Sequence, residues 1–266
     1  NRAQRKTLEL HPIVRDYFSA EFKEQYPTDF RLAHGCLFDY FCRSTAQRPE
    51  SLTELQPLYQ AIWHGCQADR HEEALNDVFQ ARIRRGDEHY SLERLGAVGC
   101  DLSAMACFFE HHWSKPAPGL SSSTQWYLHS EVGLLLNSTG QMADALTVLW
   151  TAFKLAEADQ EWARAANELG DMAGLYRHID LVKALEFGDK TLSYRQKIGE
   201  PIPYTVTLGG RARTLYLQGK VQEAALEFEK VRLEMLKIGL PAILTDGIVN
   251  IPVSVNVAAY RLCQYW

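Results

Sequence analysis

Three stretches of the sequence repeat one another: EVGLLLNSTGQMADALTVLWTAF, DMAGLYRHIDLVKALEFGDKTL and GRARTLYLQGKVQEAALEFEKV. Each places a small residue on a first helix (Gly133, Ala173, Ala212) and an alanine early on a second (Ala145, Ala184, Ala224). The first set is spaced 40 and 39 residues apart, the second 39 and 40. Such a period constrains a chain strongly, because one unit cannot bury its apolar face alone and has to stack on the next. Leu136, Tyr176 and Leu215 on the first helices, with Leu149 and Phe228 on the second, supply large side chains to set against the small ones. Large-into-small packing fixes how closely two helices approach. Gly140 and Gly219 fall where a short connection needs conformational freedom. The middle unit reads His178-Ile179-Asp180 there, which predicts a different turn.

The pattern resembles tetratricopeptide repeats (TPRs), with a longer unit than the usual ~34 residues. The expected fold class is therefore all-α: a TPR-like α-solenoid of antiparallel helix pairs, preceded by a few less regular helices. Upstream, LYQAIWHGCQADRHEEALNDVFQARI repeats the idea loosely, with a turn near Ala68-Asp69 and Ala74 in the early-alanine position. Phe30 to Arg43 and Leu52 to Cys66 carry apolar residues at helical spacing. SLERLGAVGCDLSAMACFFEHHW reads as helical and ends in a helix terminus packed by Trp113. SKPAPGLSSS follows as a loop, and no strand-like alternation persists anywhere.

A formal charge of -5 and a pI near 6.0 argue against general nucleic-acid binding. Arg82, Arg84 and Arg85 are followed by Asp87 and Glu88, so the cluster reads as a solvated helix end. The cysteines lack metal-site spacing and read as reduced, buried residues of a cytosolic protein. No apolar run is long enough to span a membrane. Adjacent His111 and His112 point about 100° apart on a helix and cannot easily share an ion. His34, Cys36 and Cys42 lack a second close pair, so no metal is expected. Neither a phosphate loop nor a nucleophile–base–acid spacing occurs, and catalysis is not expected in this piece. Trp63, Met105, Trp150 and Trp162 are assigned to the core.

In a stack of helix pairs the first helices line a groove. Its candidate ligand-binding residues are Tyr127, Asn137, Asn167, Asp171, Arg177, Arg213 and Tyr216. Their mixed polarity fits a polar peptide or protein surface better than a small apolar ligand.

LELHPIVRDYF, residues 8 to 18, reads as an extended stretch running into a helix that begins near Pro12. It resembles the end of the winged-helix module of STAND proteins, the signal-transducing ATPases that include NACHT and NB-ARC proteins. In that family a histidine of a Met-His-Asp-like motif reaches toward the phosphates of ADP. His11 matches that histidine, while Pro12 stands where Asp is common. The later helices look like the C-terminal region of bacterial STAND proteins. With 1–26 as the end of the winged-helix-like module that the resemblance implies, the expected order continues as 27–115, an irregular helical, TPR-like region, 116–122, a linker loop, and 123–266, the TPR-like array. Ser254 to Trp266 would be the first helix of a truncated last unit, and the missing initial Met points to a piece of a longer protein. It implies further that the parent binds ATP or ADP with Mg upstream of a piece that itself holds no cofactor. The array would sense a protein or peptide trigger, relieve autoinhibition and promote a homo-oligomer of the full-length protein in the cytoplasm, with antiphage defence as a context. Two other readings fit the repeats: an inducer-sensing region of a transcription activator, and a plain scaffold.

Overall fold

The computed structural model describes residues 11–199 and 201–237, and the chain divides into two compact units, Asn1–Cys100 and Asp101–Trp266. The fold is all-α and TPR-like, built of stacked helix pairs.

In the first unit α1 (Pro12–Gln25) starts at a proline whose fixed φ suits the first helical position. Then follow α2 (Pro27–Ser44), α3 (Leu52–Gln67), and α4 (His71–Glu73), which runs on as a π-helical stretch Ala74–Arg84. Ser51 caps α3 by accepting from the Glu54 amide at 3.3 Å, and Glu54 reaches back to the Glu50 amide at 2.8 Å. α3 ends as expected beside Ala68, with Asp69 left-handed, and Ala74 is fully buried. Leu55, Leu58, Ile62, Leu75, Phe79 and Ile83 form the core. Two short helices follow, α5 (Tyr90–Glu93) and α6 (Val98–Ala106), the second of which runs across the division between the units.

Arg82 and Arg84 are buried, contrary to the solvated helix end read from the sequence. The last carbonyls of α2 have no partner within the helix and need donors. Arg82 serves this helix end, giving Nη1 to the Cys42 carbonyl in its last turn at 2.9 Å and Nη2 to the carbonyls of Thr45 and Ala46 just beyond it at 3.0 and 2.8 Å. Arg85 donates to the Pro49 carbonyl and lies over the Tyr90 ring.

Early in the second unit, after α6, comes a hairpin the sequence did not announce. β1 (Phe109–His111) pairs antiparallel with β2 (Lys115–Pro116), and Trp113, with φ +54°, sits in its turn. His111 and His112 are exposed, and Trp113 is buried by the hairpin and not by a helix end. The loop 116–122, read as a linker, lies inside this unit.

Three pairs then follow: α7 (Ser122–Ser138) with α8 (Met142–Ala158), α9 (Trp162–Tyr176) with α10 (Leu181–Ile198), and α11 (Pro201–Leu217) with α12 (Val221–Lys237). Each helix packs on the next in sequence. Gly140 and Gly219 are left-handed in the first and third turns, at φ +77° and +78°. The middle turn replaces glycine with a cap, since the Asp180 carboxylate accepts from the amides of Val182 and Lys183 at 2.9 and 3.1 Å. Gly133, Ala145, Ala173, Ala184, Ala212 and Ala224 are all buried. At Gly133 a Cβ would lie 2.5 Å from Leu149 Cδ2, so the large side chain fills the space the small one leaves.

Met105 is fully buried, but Trp63, Trp150 and Trp162 are exposed by 45%, 40% and 45%, so three of the four assigned core residues lie at the surface. Trp150 stacks on Phe153 and meets Phe187 edge-on, while Trp162 leans on Tyr194, so these rings edge the core. Among the described cysteines only Cys66 is buried, and Cys36 is exposed; Cys263 and the segment Ser254 to Trp266 lie outside the described residues.

Candidate functional site

The middle pair and its neighbours bring four of the seven groove candidates together. Asn167 and Asp171 are one helical turn apart on α9 and share a face. Arg177 caps the end of the same helix, and Arg213 stands on α11. A fifth residue, Arg195 of α10, is only 7% exposed and donates from Nη2 to Asn167 Oδ1. Asp171 is open to solvent at its surface yet crowded by protein on its other sides. That crowding lifts its carboxyl to about 6, against the pull of Arg195 and Arg177.

Arg177 and Arg213 face each other as like charges. Burial first, and then the Arg213 charge, hold Arg177 below the ordinary guanidinium value, while Asp171 acts in the opposite direction. Neither arginine's side chain makes a hydrogen bond or ion pair among the described residues. Room for the Arg177 side chain comes from two glycines. A Cβ at Gly210 would stand 3.3 Å from its Nη1, and one at Gly174 would stand 3.4 Å from its Nη2.

Beneath this surface Glu168 is fully buried and accepts from Trp126 Nε1 of α7 at 3.1 Å. Burial, reinforced by the Asp171 charge, pushes its carboxyl up to about 8, while hydrogen bonds from Ser130 and Trp126 oppose the rise. Burial thus favours the protonated form of Glu168, and the Arg164 guanidinium lies 4.3 Å from the centre of the Trp126 ring. Arg195 and Arg177 both act on the Asp171 carboxylate, and Arg213 acts on Arg177.

Tyr127 is half-buried on α7. Asn137 and Tyr216 are exposed at the ends of α7 and α11, and their side chains share no hydrogen bond or ion pair with the cluster among the described residues. They occupy the positions equivalent to Arg177, four residues past the small residue of each unit. His11 is exposed at the start of α1. Arg195 and Glu168 went unnoticed in the sequence although the repeat register marks them. Arg195 falls eleven residues after Ala184, where the flanking units carry buried Ala156 and Met235. Glu168 falls five before Ala173, where the first unit carries buried Leu128. A charge at a core position of a repeat was the available signal.

The outer face of the third pair offers a cavity of about 430 Å³ lined by Leu215, Leu226 and Leu233 with Arg211 and Glu227. Its arginine is already engaged, by Asp189 at 2.6 Å and Glu227 at 3.2 Å. Among the described residues no group of three or more side chains could hold a metal ion, and no helix is long and apolar enough to cross a membrane.

No family model matches the chain, and no curated protein matches it in sequence. Among solved structures it is similar to a crystal structure of nearly identical TPR-like repeats from a kinesin light chain of Podosopora anserina. The two share 14% identity at a TM-score of 0.45, over 87% of this chain and 99% of that one.

Proposed function

We propose that the chain is a non-catalytic interaction array that captures a segment of a partner protein along the first helices of its second unit. One observation carries this reading: Asn167, Asp171, Arg177, Arg195 and Arg213 form one connected polar cluster. A surface crowded with hydrogen-bonding and charged groups fits a polar polypeptide. In the parent protein the array serves as sensor and autoinhibitory arm of a cytoplasmic STAND ATPase. An upstream module holds ATP or ADP with Mg, and His11 faces the nucleotide. Trigger binding favours the open, oligomeric state by contacting it better than the closed one. Antiphage defence is the context that the resemblance to bacterial STAND proteins suggests for the parent. Support for the switch is the HPIVRDYF segment, which enters a helix at Pro12 ahead of the repeats.

A photo-crosslinking residue at Asn167, with the exposed Ser193 of α10 as reference, tests the docking surface in cells. The expected result is a discrete polypeptide joined at Asn167 and not at Ser193. Recovery of only a metabolite in native mass spectrometry would replace this reading with the inducer-sensing one. In the full-length protein, His11→Ala is expected to speed ADP release, and an unchanged release rate would remove the nucleotide contact.

A further inference from the structure

We propose that Arg177, Arg195 and Arg213 form a binding slot for an oxyanion, a carboxylate or phosphate group carried by the docked partner segment; this rests on reading the groove as the docking surface. Charge balance leads to it. Acidic residues outnumber basic ones in this chain, 33 to 28, and its surface arginines commonly take one of them. Arg31 pairs with Asp69, Arg48 with Glu88, Arg70 with Asp39 and Glu73, and Arg211 with Asp189 and Glu227. Arg177 and Arg213 instead stand beside each other with no carboxylate in hydrogen-bond contact. Two adjacent guanidinium groups repel, and an arrangement that is unfavourable in the free protein is relieved by an anion placed between them.

The surroundings keep this surplus in place. Gly174 and Gly210 leave the space in which the Arg177 guanidinium lies, and a methyl at either would press on it. Arg195 replaces the alanine and methionine of the flanking units at a core position, and Asn167 orients it. The planar donors of arginine match an oxyanion in pairs, a geometry lysine does not offer. Asp171 acts on Arg195 and Arg177 but makes no hydrogen bond to Arg177 or Arg213 among the described residues.

Guanidinium NMR of the whole chain, with inorganic phosphate and acetate as separate probes at constant ionic strength, tests the slot. Resonances of Arg177, Arg195 and Arg213 are expected to shift saturably, with Arg211 as the internal reference. A response to phosphate alone assigns a phosphorylated side chain, and a response to both assigns a carboxylate as well. Arg177→Gln or Arg213→Gln should each weaken binding about tenfold, the loss of one charge-assisted hydrogen bond. Circular dichroism and melting temperature check that these variants remain folded. Equal shifts at Arg211, or no saturation with either anion, would overturn the slot. Crosslinking at Asn167 that persists in the Arg177→Gln, Arg213→Gln double variant would also overturn it, while leaving the docking surface intact.

Discussion

At the scale of single residues, Glu168 and Gly133 show two ways in which a buried position constrains the chain. Glu168 has a carboxyl raised to about 8 in the folded protein, above its ordinary value of 4.5. Folding therefore favours its protonated form, and the stability present below 4.5 is lost as pH rises from there through about 8. Glu168→Gln keeps an oxygen to accept from Trp126 Nε1 and removes the titration. The variant should unfold at higher denaturant than the parent at pH 8.5, by an amount on the order of 3 kcal/mol, with the difference shrinking toward pH 5. An advantage that does not depend on pH would assign the effect to packing. Gly133→Ala drives a methyl against Leu149 and should cost about 1–3 kcal/mol. Gly170→Ala meets only Thr191 Cγ2 at an ordinary 3.7 Å and should raise the melting temperature through helix propensity, by about 0.5–1 kcal/mol of stability. The two thermal melts together separate close approach from propensity. Gly133 was legible because its repeat partners, Ala173 and Ala212, are also small. Glu168 was not, because a lone glutamate in a helix looks like surface until it is read against Leu128.

At the scale of elements, the second unit was largely legible and the first less so, for a physical reason. Helix pairs with turns at Gly140 and Gly219 repeat their own evidence, whereas Arg82 acts once and through space. It crosses from the π-helical stretch to the end of α2, and nothing in its neighbours Ile83 and Arg84 announces those carbonyls. The β1–β2 hairpin escaped because it is shorter than the alternation by which a strand is recognised in sequence. Trp150 and Trp162 obeyed the helical spacing but fall at the rim of the apolar stripe, where the ring is too large for full cover. Replacing Arg82 with Met tests its capping role. The change keeps the apolar stem but leaves the carbonyls of Cys42, Thr45 and Ala46 without their donor, at about 1–3 kcal/mol. Hydrogen exchange should rise first in the last turn of α2, and uniform exchange across the first unit would argue against a cap.

At the scale of the whole array, the second unit joins each helix chiefly to its neighbours in sequence, so its stability is a chain of nearest-neighbour terms. This organisation ties the candidate site to one pair. Asn167, Asp171 and Arg177 belong to α9, Arg195 to α10 and Arg213 to α11, so the packing of the middle pair sets their mutual positions. Ala184 is the buried early alanine of α10, and Ala145 its equivalent on α8. Leu at either position overpacks a helix contact, at about 1–3 kcal/mol. The two lesions should nevertheless separate in their reach. Ala184→Leu lies between α9 and α11, so it should raise hydrogen exchange in both and disturb the alignment of Arg195 with Arg177 and Arg213. Ala145→Leu should loosen α7 through α9 and leave α11 and α12 protected. Crosslinking at Asn167 should therefore fall further in Ala184→Leu than in Ala145→Leu at matched loss of stability. If both variants lost it equally, docking would depend on the fold of the whole array and not on the geometry of its middle pair.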